Sequence, residues 1–261
     1  MVPGLWVYAI ARAGHPLPQR VEAIDGSNVV ESVDEGPLAA FFTPIDIREY
    51  SQGAVDAHAG DLEWLGAIGY RHQAVMQALM NGGTVIPLRA FTLFGSRQML
   101  GAQLRSGRDQ FVKVLERLDG KQEWTLRIEF EPERWNESLI SRVDSLRALS
   151  DQAMASPPGK AFLLKKKLDD ERKKASRDAE LQVVGEIEQR VLSRLACETV
   201  AESREARDGA FPQINVLINR DEEAVLQELH TELADRYAGE GITLAVSGPW
   251  PPYTFASVGN G

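Results

Sequence analysis

EWTLRIEF, residues 123–130, alternates charged or polar side chains with apolar ones. Successive side chains of an extended chain point to opposite faces, so this alternation predicts a strand with one buried face. The buried face is lined by Trp124, Leu126, Ile128 and Phe130. This strand opens the half of the chain whose element order is easiest to interpret.

Two helices are predicted to follow the strand as a helical hairpin, at about residues 137–196. The second helix runs from Lys160 to Ala196, after the proline-containing break Ser156–Gly159. Charged residues dominate it from Lys165 to Arg177 and leave only a thin apolar seam. Such a seam favours a partly coiled-coil hairpin that projects into water.

Three strands and a helix are predicted to complete the second half. They are a polar edge strand near Thr199–Arg204, a central strand Ile214–Asn219, a helix Val225–Tyr237 and a last strand Ile242–Ser247. The order β-α-β-β-α-β is that of a ferredoxin-like domain, here with its first helix enlarged into the hairpin. The predicted fold class is therefore α+β.

The first half is predicted to be a separate α+β domain whose strand order cannot be derived from the pattern. Its predicted elements are a strand Leu5–Ile10, a hairpin of strands Asn28–Val33 and Leu38–Thr43, a helix carrying the stripe Leu62 to Leu79, a strand Thr84–Leu88, and one helix from Ser96 to Gly120. A boundary at Gly120 gives two domains, residues 1–120 and 121–261.

Composition and charge restrict the compartment and the classes of partner. The net charge of −9 argues against a nucleic-acid partner, because non-specific affinity for phosphates comes from a basic surface. No run approaches the ~20 apolar residues of a membrane span. The run Leu5–Ala11 lacks the basic flank of a secretory signal, and the lone Cys197 suits a reducing compartment. We therefore expect a cytoplasmic protein with no membrane partner.

The residues that carry chemistry are too scattered to form a recognisable site. The four histidines are His15, His58, His72 and His230. None has a carboxylate or cysteine pattern beside it, and the chain contains no glycine-rich phosphate loop or zinc-protease motif. The predicted central strand Ile214–Asn219 also lacks the aromatic residues with which an RNA-binding module of this fold stacks bases. The sequence therefore predicts no catalytic residue, no metal ligand, no cofactor and no enzyme activity.

GPWPPY stands out directly after the last predicted strand. It comprises Gly248, Pro249, Trp250, Pro251, Pro252 and Tyr253. Three prolines fix φ and remove three backbone donors, which predicts a rigid extended arm rather than more sheet. The two rings then either cover the open end of the domain core as a clasp or serve as an anchor for another protein.

A second proline-containing segment follows the first long helix. It comprises Pro87, Leu88 and Arg89. The guanidinium of Arg89 either pairs with a carboxylate of its own domain or reaches a partner protein. Both alternatives remain open from the sequence.

These segments together resemble the F/L-type family of gas vesicle proteins. GPWPPY resembles the C-terminal signature of that family, and Leu5–Ile10 resembles its first strand. His72–Val75 and Pro87–Arg89 resemble a family helix and a Pro-Leu-Arg segment, although Gln73 stands where a Glu is usual. Ala90–Phe91 replaces the usual Phe-Gly, so this turn lacks the freedom of a glycine.

The resemblance implies an accessory or minor structural protein that assists gas vesicle shell assembly. The implied partners are the small, hydrophobic shell protein and other vesicle accessory proteins, and no cofactor is implied. One alternative is a small-ligand-binding or regulatory ferredoxin-like protein, which a concave pocket with convergent polar groups would favour. Another is a scaffold that binds accessory proteins through the hairpin.

Overall fold

The structure is a computed structural model that describes residues 2–27, 29–202 and 211–256. The chain forms two compact units. The first comprises the residues up to Gln122 together with those from Trp250 onward, and the second is Glu123–Pro249. Each unit has its own sheet and its own apolar core.

The sheet of the first unit is built around one strand that is buried along most of its length. Its strands are β1 (Pro3–Arg12), β2 (Glu31–Glu35), β3 (Leu38–Asp46), β4 (Val85–Pro87) and β5 (Leu93–Phe94). The order is β2-β3-β1-β4, with β5 also paired to β1. Every residue of β1 from Gly4 to Ala11 is buried, as the continuous apolar run in this strand predicts.

The predicted hairpin is present as the antiparallel pair β2 and β3. Gly36 adopts a φ of +60° in its turn, a conformation that glycine reaches without steric cost. The first predicted strand of this hairpin started at Asn28, which lies outside the described residues; β2 starts at Glu31.

Helices cover this sheet. They are α1 (Gln52–Ala57), α2 (Leu62–Gly82), α3 (Arg97–Ser106) and α4 (Arg108–Leu118). The Asp61 carboxylate caps α2 by accepting a hydrogen bond from the Trp64 N–H at 2.9 Å, and the Ser96 hydroxyl accepts one from the Met99 N–H at 3.2 Å. The single helix expected from Ser96 to Gly120 is wrong, because the chain breaks at Gly107. A Cβ at Gly107 would lie 2.4 Å from the Phe111 ring, so this close packing requires glycine.

The second unit has the predicted order of elements, except that the first predicted helix is divided into two. The elements are β6 (Lys121–Phe130), α5 (Pro132–Arg142), α6 (Asp144–Met154), α7 (Pro158–Arg194), β7 (Glu198–Glu202), β8 (Gln213–Asn219), α8 (Glu223–Tyr237) and β9 (Ile242–Trp250). The strand order is β7-β8-β6-β9, with β7 and β8 antiparallel. The polar edge strand is described as β7 as far as Glu202, and its expected end at Arg204 lies outside the described residues.

The first helix of the hairpin is interrupted, which the sequence analysis did not predict. Val143 has φ −110° and ψ 111° and separates α5 from α6. Its carbonyl accepts hydrogen bonds from the N–H groups of Leu146 and Arg147 and so starts α6. A β-branched residue loses side-chain freedom in a helix, which makes Val143 a favourable place for the break.

The core of the second unit joins the apolar face of β6 to α7 and α8. The buried residues of α7 are Leu168, Ala179, Val183, Val184, Ile187 and Val191. Most of them lie in its C-terminal half, so the first turns of α7 contribute little to this core. The predicted buried face of β6 is confirmed, since Trp124, Leu126, Ile128 and Phe130 are all buried. Glu123, which was expected on the opposite face, is buried as well.

Candidate functional site

The terminal segment Trp250–Ala256 belongs to the first unit, although the strand that leads into it belongs to the second. Pro251 and Pro252 are buried, and the Tyr253 N–H donates to the Pro251 carbonyl at 2.7 Å. Phe255 is 1% exposed, whereas Trp250 is 41% exposed. The segment is therefore anchored by Phe255 and the two prolines, with Trp250 at its exposed start.

The prediction that GPWPPY lies wholly outside the sheet is wrong, because β9 continues through Gly248 and Pro249 to Trp250. β9 lies at the end of the strand order. An edge strand tolerates proline, since its outward N–H has no ladder partner to lose. The expectation that the rings cover the core of the domain that made them also needs correction, because Tyr253 packs in the first unit.

Gly248 is required by the packing of the second unit. Its φ is +146°, and a Cβ on it would lie 2.8 Å from two atoms of the Trp124 indole and 3.1 Å from the Glu123 carbonyl oxygen. A side chain there would displace the indole or the backbone. The first residue of the motif is therefore structural.

His72 connects the terminal segment to the first strand. Its Nε2 lies 3.0 Å from the Tyr253 hydroxyl, and its Nδ1 accepts a hydrogen bond from the Trp6 indole N–H at 3.1 Å. An indole N–H can only donate, so Nδ1 carries no proton and Nε2 carries one. His72 is thereby held as a neutral imidazole that donates to the Tyr253 oxygen.

Burial controls the charge of this hydrogen-bonded chain. It lowers the pKa of His72 to about 4, against the opposing effect of a hydrogen bond with the Leu88 backbone. Burial likewise raises the pKa of Tyr253 to about 12. Both side chains are therefore neutral at pH 7, and the arrangement suits a structural link better than proton transfer.

All four segments that carry the family resemblance meet at His72. His72 lies on α2 in the His72–Val75 segment, and the other three segments supply Trp6, Leu88 and Tyr253. The apolar periodicity of α2 places His72 on its buried stripe, but no local sequence signal connects it to the terminal motif. Phe255 was missed altogether.

A second buried hydroxyl network fixes the loop before β2. The Thr43 hydroxyl donates to the Val29 carbonyl at 2.9 Å, so its oxygen accepts from the Tyr8 hydroxyl, also at 2.9 Å. The Tyr8 oxygen in turn accepts the Ile24 N–H at 3.0 Å. Burial raises the pKa of Tyr8 to about 12, which keeps its donor proton in place.

Pro87 ends β4, and the next two residues leave the sheet. The Leu88 N–H donates to the Tyr8 carbonyl at 2.8 Å, which continues the pairing along β1. The Arg89 carbonyl accepts the Thr92 N–H at 3.2 Å and its hydroxyl at 2.6 Å. The Arg89 side chain is exposed and forms no ion pair with the residues that the structure describes. The expected pairing of Arg89 with a carboxylate of its own domain is therefore not found among these residues.

Phe91 occupies a backbone conformation that usually needs glycine. Its φ is +64°, in the left-handed region, at the position where the sequence analysis noted a missing glycine. Its ring packs edge-on against Trp6 with a centroid distance of 4.9 Å and lies 6.2 Å from the ring of Trp64. The strained backbone of Phe91 thus occurs together with aromatic packing of its ring against Trp6.

A cavity of about 520 Å³ lies beside the start of β1 and the end of β3. Of the four ionic side chains on its wall, three are engaged within the unit. The Asp46 carboxylate accepts from the Val2 N–H at 3.1 Å and from Arg48 at 3.0 Å, Asp25 accepts from the Ser27 hydroxyl at 2.7 Å, and Arg97 pairs with Glu31. Polar groups that converge on a ligand, as an enzyme site requires, are not evident here.

Two further features bear on chemistry. Burial, followed by the nearby carboxylates of Glu222 and Glu198, raises the pKa of the Cys197 thiol to about 11, so the reactive thiolate is scarce at pH 7. Among the described residues, the structure has no group of three or more histidine, cysteine, aspartate or glutamate side chains placed to hold a metal ion. No described helix is long and apolar enough to span a membrane.

Comparison with known proteins gives consistent matches along the whole chain. The family model described as "Gas vesicle synthesis protein GvpL/GvpF" matches residues 4–257. "Gas vesicle protein L" of Streptomyces sp. (strain CB03234) is 29% identical over 263 residues, which cover 97% of this chain and 92% of that protein.

Two crystal structures share the fold. They are gas vesicle protein GvpF from Anabaena sp. PCC7120, with a TM-score of 0.69, and GvpF from Microcystis aeruginosa, with 0.68. Each is 16% identical to this chain, and the alignments cover 99% and 98% of this chain and 98% and 100% of the solved chains. The mixed α+β architecture is confirmed by this likeness.

Proposed function

We propose, since this chain belongs to the GvpL/GvpF family of gas vesicle proteins, that it assists assembly of the gas vesicle shell by binding the small hydrophobic shell protein. The observation that carries the proposal is the extent of the family match, which takes in both compact units. We also propose that the protein is cytoplasmic and associated with the vesicle, and that other vesicle accessory proteins are further partners. The proposal includes neither an enzyme activity nor a cofactor.

The physical case rests on what an unassembled shell subunit exposes. A small protein that assembles through apolar faces and strand edges aggregates unless those surfaces are covered. A partner with a net charge of −9 would keep such a complex dispersed. The charge of this chain therefore suits a protein that covers these surfaces until the shell assembles.

Within the segments that carry the family resemblance, the exposed side chains are the ones we assign to partner binding. Trp250 is 41% exposed and Arg89 is exposed without an ion pair among the described residues. Rigid tryptophan and arginine side chains are favoured at binding hot spots. We assign a structural role to the other motif residues, namely Pro87, Leu88, Gly248, Pro249, Pro251, Pro252 and Tyr253.

For the second unit we propose the ferredoxin-like arrangement with a helical hairpin at residues 137–196. The element order β-α-β-β-α-β and the strand order β7-β8-β6-β9 support it. The proposed domains are residues 1–120 and 121–261, with the terminal segment from Trp250 onward packed in the first unit. The partly coiled-coil character of the hairpin is supported by the exposed, charged first half of α7.

The proposal is tested by producing the complete set of vesicle proteins in a heterologous host with and without this chain. Intact vesicles counted by electron microscopy should be lost or strongly reduced without it, while the amount of shell protein made stays the same. A matched control restores the chain with Gly185→Ala, a change at a position where a Cβ meets open space. Normal vesicle numbers without the chain would contradict the proposal.

A further inference from the structure

The first half of α7 carries an ordered pattern of charge. Lys165–Lys167 and Asp169–Glu171 flank Leu168, which is buried in the hairpin. Asp169 pairs with Arg172 at 2.9 Å. In the described part of the chain, none of the three lysines forms an ion pair. Each of these lysines lies four residues before an acidic residue of the second block, which is the spacing of side chains that face each other along one helix.

One exposed stripe runs through this pattern. Phe162, Lys166, Asp169 and Lys173 are spaced by four, three and four residues and therefore lie on one face of the helix. All four are exposed, and Phe162 retains 69% of its surface. The exposed Phe162 ring and the lysines without an ion pair among the described residues leave this face open to a partner.

The stripe is complementary to itself when reversed. If two α7 helices cross antiparallel with a two-fold axis between Lys167 and Leu168, Lys166 lies opposite Asp169 of the second copy. Lys165 of the first copy then also lies beside Asp169 of the second copy. By the same symmetry, Asp170 of the first copy lies beside Lys166 of the second copy. Phe162 faces Lys173, whose aliphatic stem can cover the ring while the ammonium lies near its face.

We propose that this face of α7, which we call the α7 stripe and define as Phe162, Lys166, Asp169 and Lys173, is a self-association surface whose occupant is the α7 stripe of a second copy of this chain. The interface is isologous, because the same residues serve both copies. This inference concerns a different partner from the shell protein and does not depend on shell binding.

The charge pattern favours a second copy over other macromolecules. A nucleic acid or a uniformly acidic surface would satisfy the lysines but would be repelled by Asp169–Glu171. Two copies that each carry a charge of −9 repel one another in general, so their association needs a local match of opposite charges. The α7 stripe provides such a match in the antiparallel orientation and loses it in the parallel one, where Lys166 meets Lys166.

Sedimentation velocity at about 0.15 M ionic strength tests the proposal, over protein concentrations up to the order of 100 µM. The wild-type chain should form a dimer. Lys165→Glu with Lys166→Glu, and separately Asp169→Lys with Asp170→Lys, should each weaken dimerisation roughly tenfold or more. Mixing the two variants should restore a dimer, because each supplies the charges that the other lacks.

Controls separate this result from a loss of folding. Each variant is checked by circular dichroism and thermal unfolding, and single variants Lys166→Glu and Asp169→Lys repeat the mixing test if a double variant is poorly folded. Arg108→Glu with Lys113→Glu makes the same charge change on α4 and should leave dimerisation unchanged. A monomer at every concentration, or a dimer that neither charge-reversal pair affects, would overturn the proposal. Failure of the mixture to dimerise would overturn it as well.

Discussion

The imidazole of His72 donates to the Tyr253 hydroxyl at 3.0 Å across 181 residues of sequence. This bond joins α2 to the terminal segment, and the Trp6 indole fixes the tautomer that makes it. Because three of the four segments that carry the family resemblance supply a neighbour of His72, their similarity has a structural cause. The motif at the C-terminus is therefore divided, with a buried part that holds the segment and an exposed Trp250.

The buried part of the terminal segment should control stability. Phe255→Ala is expected to lower the free energy of unfolding by about 3 to 5 kcal/mol, because it empties a fully buried site. Trp250→Ala should cost only about 1 kcal/mol, since 41% of that residue is already in water. Chemical denaturation of both variants gives the comparison. A larger loss for Trp250→Ala than for Phe255→Ala would show that the anchor has been assigned to the wrong residue.

Acid should destabilise the first unit through His72. The folded pKa of about 4 lies below the ordinary value of 6.5, so the neutral fold binds fewer protons than the unfolded chain. The contribution of His72 to the free energy of unfolding is therefore fully present above about pH 6.5 and is lost as the pH falls toward 4. At pH 5 the loss is about 2 kcal/mol relative to pH 7.

The variant His72→Gln isolates this effect, because an amide can accept from Trp6 and donate to Tyr253 but does not titrate. Between pH 7 and 5 the wild type should lose about 2 kcal/mol more stability than the variant. His15, whose pKa burial also lowers, remains in both proteins and cancels in the comparison. Equal pH dependence of the two proteins would exclude His72 as the source.

Gly248 should tolerate no side chain. Gly248→Ala places a Cβ 2.8 Å from the Trp124 indole at a φ of +146°, so we expect a loss of about 2 kcal/mol or more. Gly185→Ala is the matched control, because it lies within α7 with open space around its Cβ and should gain about 0.5 to 1 kcal/mol. Thermal unfolding of the pair decides the matter. A neutral Gly248→Ala would mean that Trp124 moves without cost.

The backbone strain at Phe91 can be measured by comparing two truncations. Both Phe91→Gly and Phe91→Ala remove the ring that packs on Trp6, so both should be less stable than the wild type. Glycine adopts a φ of +64° freely and alanine does not, so the glycine variant should be more stable than the alanine variant by about 1 kcal/mol. The reverse order, which is usual in helices and strands, would show that the turn relaxes when the ring is gone.

Elements with a strong local pattern were predictable from the sequence. The alternation in β6, the apolar run of β1 and the turn at Gly36 each reflect a physical preference that acts over a few residues. The breaks at Gly107 and Val143 were not predictable in this way. They depend on what packs against the helix, and the apolar periodicity continues through both.

The candidate site was predictable in its segments but not in its geometry. GPWPPY and the missing glycine before Thr92 could be recognised by type, and Phe91 does adopt the conformation that a glycine would favour. The contact between His72 and Tyr253 could not, because no local signal links residues so far apart. Phe255 was overlooked because the clasp and anchor interpretations considered only the rings of GPWPPY, whereas the ring two residues beyond Tyr253 is the one that is fully buried.

The central claim is that this chain binds the shell protein directly. It is tested most directly with the two purified proteins, by size-exclusion chromatography with light-scattering detection. Shell protein diluted from denaturant into an equimolar amount of this chain should elute with it as one complex instead of aggregating. Trp250→Ala should weaken that complex about tenfold or more while remaining folded. Tyr70→Ala, which truncates another large side chain that is 75% exposed in the same unit, should not. Shell protein that aggregates equally fast with and without this chain, and never elutes with it, would contradict the account.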